Sequence, residues 1–140
     1  MSDPFQHFVD AQAPVWPAVR AELEAGRKRT HWMWFVFPQL AALGHSPTAK
    51  HFGLQSLDEA KAYLAHPVLG PRLRAATRLV NAIQERSAFD IFGSPDVLKL
   101  RSSMTLFAHA AGSEGAEFQE VLERYYQGVQ DPLTVGLLTE

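Results

Sequence analysis

The chain has 140 residues and no cysteine. That excludes thiol nucleophiles, CxxC redox pairs, thiolate zinc sites and iron–sulfur clusters, and with them a disulfide-stapled scaffold. A long hydrophobic run is missing too. The densest apolar stretch, Trp32 to Pro38, is far shorter than the ~20 residues of a membrane-spanning helix. Met1 to His7 has neither a basic nor an apolar leader segment, and Leu137 to Glu140 has no lipidation motif. The expected location is the cytoplasm, without membrane contact. Positive charge is not in surplus: 13 Lys and Arg against 15 Asp and Glu give a net charge of -2. Bulk nucleic-acid binding by counterion release is excluded, and nucleic acid is expected only as a modified-nucleotide substrate. Neither GxGxxG nor a P-loop occurs, and Gly44 and Gly53 stand alone. The six histidines (His7, His31, His45, His51, His66, His109) form no HxH, HExxH or HxxxH pair. No metal and no cofactor are expected.

What is present is the makeup of one globular domain. At 46% hydrophobic and 20% charged, the chain can bury a core. Helix signals recur along it. Asp3-Pro4, Ser46-Pro47, Ser94-Pro95 and Asp131-Pro132 read as N-cap followed by N1, and Ser56 with Glu59 reads as a capping box. Gly26 follows the stripe Val15, Trp16, Val19, Leu23 where a C′ residue belongs. His66-Pro67 ends one helix. The next carries Leu73, Ala76, Leu79, Val80 and Ile83. Another carries Val97, Leu98, Met104, Leu106 and Phe107, and a later one Phe118, Val121, Leu122 and Tyr125. Only Trp34 to Phe37 has strand-like composition, and periodicity does not separate it from a buried helix. The pattern predicts a single all-α domain over residues 1–140, with seven or eight short helices.

The segment Gly26 to Leu40, with Leu43-Gly44-His45-Ser46 behind it, resembles the signature of an uncharacterised bacterial family, number 1810 among the domains of unknown function. Three further blocks carry the same resemblance. They are Ser56 to Ala60 running on to Tyr63–Leu73, then Ile91 to Phe107, and Tyr126-Gln127-Gly128 with Asp131 to Thr134. The resemblance runs through nearly the whole chain. It implies a small multihelical cytoplasmic protein and brings no mechanism. The label calpastatin often attached to the family has no support here, since that inhibitor is a disordered repeat protein. Lys99, Met104 and Phe107 are also similar, with altered spacing, to a helix of the NADAR group, which processes ADP-ribose-linked nucleotide derivatives. That group's early glutamate has no counterpart among His31 to Gln39.

Three constellations could carry chemistry. In the first, His31 and Gln39 flank an aromatic run. Trp32 or Trp34 could stack a ring, and His31 could act as acid or base. The alternative is a core helix with satisfied polar ends. In the second, Asp96, Lys99 and Ser103 share one helix face, with Ser102 and Thr105 on a neighbouring one. A partly desolvated Lys99 would serve as base, nucleophile or anion clamp. The alternative is an Asp96–Lys99 helix pair with hydroxyls bonded to the preceding turn. The third is Tyr63, His66, Gly70, Arg72 and Arg74, where Arg72 could grip an anion or the arginines could bridge to the acidic helix Glu114–Glu123. The run Arg27-Lys28-Arg29 reads as a solvated turn.

Two functions remain open. One is a protein that binds or processes a small anionic, nucleotide-like ligand between the His31–Gln39 segment and the Asp96–Thr105 helix. Its catalytic candidates are His31 and Lys99, and its ligand-binding candidates Trp32, Trp34, Gln39, Arg72, Asp96, Ser103 and Thr105. As an enzyme it would be a hydrolase acting on a nucleotide or ADP-ribose derivative. The other is a non-catalytic protein–protein module that exposes the aromatic helix.

Overall fold

The structure is a computed structural model that describes residues 3–139. In chain order the helices are α1 (Gln6–Gln12), α2 (Trp16–Glu24), α3 (Met33–Val36), α4 (Pro47–His51), α5 (Leu57–Ala65), α6 (Leu69–Ala82), α7 (Ala88–Phe92), α8 (Asp96–Ala111), α9 (Ala116–Tyr126) and α10 (Pro132–Leu138). Seven of the ten have seven residues or more. The single turns α3, α4 and α7 are too short for hydrophobic periodicity to announce them. Among the described residues there is no strand, only an isolated bridge between Leu40 and Leu54. The domain is all-α. No helix of the described residues is long and apolar enough to cross a membrane.

Side chains cap the starts of four of the ten helices, α4, α5, α7 and α10. Ser46 Oγ accepts the Ala49 N–H at 3.1 Å, Ser56 Oγ accepts Glu59 N–H at 3.1 Å, and Asp131 Oδ2 accepts Thr134 N–H at 3.0 Å. The reciprocal capping box forms at Ser87 and Asp90, not at Ser56. Ser94 does not cap α8, whose N-cap residue is Pro95 with no side-chain bond. The segment Trp34–Phe37 falls in the single turn of α3, with Phe37 as its C-cap residue.

The core sits around α8, which packs on α5, α7, α9 and α10, while α6 packs on α2, α5 and α9. Leu100, Met104, Leu106 and Phe107 on α8 are fully buried. Leu98 is not part of that stripe: it is 59% exposed. The turn from α5 into α6 brings backbones into contact. A Cβ on Gly70 would stand 2.1 Å from the Leu64 carbonyl oxygen, so only glycine fits. His66 completes this turn. Its Nδ1 accepts the Val68 and Leu69 N–H groups at 3.1 and 3.2 Å, which leaves the proton on Nε2 to donate to Asp3 Oδ2 at 2.5 Å.

Candidate functional site

A loop built by one buried glutamate forms the site. α2 ends in a Schellman turn, with Arg27 N–H on the Glu22 carbonyl, Gly26 N–H on that of Leu23, and Gly26 at φ +75°. The turn sends the chain back across the last turn of α2, where the Glu22 side chain waits. Its Oε1 accepts the Arg29 N–H at 2.6 Å, the Thr30 N–H at 2.9 Å and the Trp32 indole N–H at 3.1 Å. Its Oε2 accepts the Thr30 hydroxyl at 2.6 Å. Burial disfavours the Glu22 carboxylate, but these donors outweigh it and hold its pKa below the ordinary value. Nothing in the sequence pattern singled out Glu22. The only signal was Gly26 at C′, which reverses the chain over the helix end.

This loop presents Lys28, Arg29 and His31 to the start of α8. Lys28 is not a solvated residue, since its side chain is 7% exposed. Its backbone N–H bonds the Ile91 carbonyl, and its ammonium lies 2.9 Å from Asp96 Oδ2 and 4.9 Å above the Trp32 ring. Lys99 reaches the other oxygen of Asp96 at 3.7 Å and rests 4.1 Å from the centre of the Trp34 ring. One carboxylate thus holds two ammonium groups side by side. Beside them is a cavity of about 330 Å³, walled by Lys28, Arg29, His31, Trp34, Ser94, Asp96 and Lys99 with Phe92 and Pro95. Three permanent cations face one anion. The arrangement suits an anionic group with a small apolar or polar body.

Four of the expected residues, His31, Trp34, Asp96 and Lys99, meet at this cavity. The other five do not. Trp32 is fully buried in the core, so it has no face to offer a ligand. Trp34 carries Lys99 on its ring and buries an indole N–H with no partner, so it acts as a seat for the ammonium, and a stacked base would have to displace Lys99. The Gln39 backbone carbonyl accepts the Leu54 N–H away from the cavity. Ser103 is buried with its hydroxyl unpaired, because its face of α8 turns inward. Thr105 donates to the Arg101 carbonyl and accepts the Asp131 N–H, which ties α8 to the start of α10.

Arg72 belongs to a different cluster. It lies 5.7 Å from the Trp16 ring centre and 3.4 Å from Gln12 Oε1. Gln12 in turn donates to the Phe35 carbonyl and the Tyr63 hydroxyl at 2.5 and 3.1 Å. Burial pushes the Tyr63 hydroxyl's pKa well up. Arg74 pairs with Glu117, as the bridging alternative required. A larger hollow of about 410 Å³ opens between Leu40–Asp58 and the end of α10, and among the described residues Asp58 is its one titratable side chain. In the aromatic segment Trp32, Met33, Val36 and Phe37 are buried, while Trp34 and Phe35 are partly exposed.

Comparison with known proteins yields one family and one solved structure. A family model described as "Protein of unknown function (DUF1810)" matches residues 2–138. The crystal structure of the conserved hypothetical protein Rv1873 from Mycobacterium tuberculosis is 57% identical, covers 99% of each chain and superposes with a TM-score of 0.95. No curated protein matches.

Proposed function

Since the chain belongs to the DUF1810 family, whose description assigns no activity, its function has to be argued from the cleft. We propose that the protein binds a small anionic, nucleotide-like ligand there. The observation that carries this reading is the convergence of Lys28, Arg29 and Lys99 on one open cavity, with Asp96 as the only carboxylate in its wall among the described residues. Each group has a part. Asp96 positions both lysines, so that their charge points to one place. Arg29 and Lys99 hold the anionic group, and Arg29 can do so through two parallel N–H bonds. His31 is exposed and lines the cavity, so its imidazole is the acid or base if the ligand is processed. In that case the reaction class is hydrolysis of a nucleotide or ADP-ribose derivative, to which the similarity with the NADAR group adds weight.

A thermal-shift screen with nucleotides, ADP-ribose, NAD and sugar phosphates tests the reading, with the Lys99→Ala variant alongside. A ligand at ~100 times its dissociation constant adds ~2.7 kcal/mol, several degrees for a domain of this size. The expected result is a shift that the variant loses. A panel without a shift, or a shift that the variant keeps, overturns the assignment and moves attention to an interaction module.

A further inference from the structure

The cleft continues past Lys28 and Arg29. These two side chains, together with Arg27, also line a second hollow of about 460 Å³. The two hollows differ in charge. The inner one holds Lys28, Arg29 and Lys99 against Asp96. Among the described residues, the outer one is walled by three cations and no carboxylate. Arg27 and Arg29 are exposed, and among the described residues neither guanidinium has an ion pair or a hydrogen bond. Lys28 is committed to Asp96 and, at 2.5 Å, to the Thr30 carbonyl. The groups left to bind are therefore Lys99 inside, Arg29 at the seam and Arg27 outside.

A single tetrahedral anion can occupy only one hollow. It leaves the positive charge of the other uncompensated. Because the hollows share two walls, Lys28 and Arg29, a ligand that fills both carries its second anionic group close to the first. Guanidinium forks match phosphate oxygens, and the partly buried Lys28–Asp96–Lys99 set fixes the inner end. On the basis of the ligand reading above, we infer that the occupant carries two linked phosphate groups. One lies in the Lys99 cavity and the other in the hollow of Arg27, with Arg29 between them. The site selects a diphosphate over a monophosphate.

Calorimetric titration of inorganic phosphate and inorganic pyrophosphate at fixed pH and ionic strength tests this. The wild type should bind pyrophosphate at least about tenfold more tightly, which corresponds to ~1.4 kcal/mol. Arg27→Ala should bring that ratio down to a few-fold while phosphate affinity stays within about twofold. Arg20→Ala removes the same charge from an exposed position on α2 and should leave the ratio intact. Lys99→Ala should weaken both anions. Equal affinities in the wild type, or a ratio that Arg27→Ala and Arg20→Ala change alike, overturns the diphosphate inference and leaves a single-anion cleft standing. Failure of both anions to bind overturns the cleft reading itself.

Discussion

Two groups of basic side chains on this protein are used in different ways. Between α6 and α9, Arg74 meets the Glu117 carboxylate and the Glu114 carbonyl, and Arg78 lies 3.4 Å from the other Glu117 oxygen. Arg124 bonds the Ile83 carbonyl at 2.9 Å and Asn81 the Glu117 carbonyl at 3.0 Å. Each of these cations is matched to a group of the protein itself and joins two helices. Around the cleft, two lysines share one carboxylate and two arginines have none among the described residues. The residue types are the same in both regions. What separates a structural cation from an available one is the inventory of its partners and the open volume beside it.

The sharpest way to break the contrast is to remove the group that builds the cleft. Glu22→Ala strands the Arg29, Thr30 and Trp32 donors and should lower stability by roughly 2–4 kcal/mol, with the ligand response gone. Denaturant unfolding with ligand titration checks this, and a variant as stable and as responsive as the wild type would show that the loop holds itself. The same residue gives a pH signature. Its folded pKa lies below the ordinary 4.5, so the unfolded chain takes up the proton first as the pH falls. The contribution is complete above pH 4.5 and is lost progressively below it. Acid unfolding of the wild type should therefore be steeper in that window than that of Glu22→Gln.

On the other side, Glu117→Ala should cost about 1–2 kcal/mol, because it leaves Arg74 half-buried without its carboxylate. Ligand binding should not change. A loss of binding in that variant would mean that the two regions are coupled. Lys99→Ala should show the opposite profile. It removes a cation–π contact and a loose helix pair, at most ~1 kcal/mol of stability, yet weakens anion binding by tenfold or more. The smallest expected effect on stability is that of Arg27→Ala, within ~0.5 kcal/mol. Its effect should appear only in the choice between phosphate and pyrophosphate.

The fold was largely legible because its helix ends are local events. Ser46, Asp131 and Gly26 act within a turn of themselves, and sequence order alone brings their partners into reach. Leu98 misled because its composition fits the α8 stripe while its side of the helix faces out. The cleft was half legible. His31, Trp34, Asp96 and Lys99 lie in two segments that the sequence already marked as dense in chemistry. Lys28 looked like one of three solvated charges, since nothing local shows that α7 and the start of α8 close over it. Glu22 looked like an ordinary helix-end carboxylate, because its donors come from a loop that reverses only after Gly26. Arg72 was grouped with the ligand set by residue type, whereas its helix turns it toward Trp16 and Gln12.

The chain has three tryptophans, Trp16, Trp32 and Trp34, in three different environments. Trp34 lies in the cleft under Lys99, Trp32 in the core on Glu22, and Trp16 beneath Arg72. Their indole N–H signals in a ¹H–¹⁵N spectrum, followed through a titration with inorganic pyrophosphate, test the central claim most directly. The account predicts that the Trp34 indole and the amides of residues 28–31 and 96–99 shift together and saturate, while the Trp16 indole stays in place. Saturating shifts at Trp16 with Trp34 unmoved would place the anion on the α2–α6 arginines and contradict it.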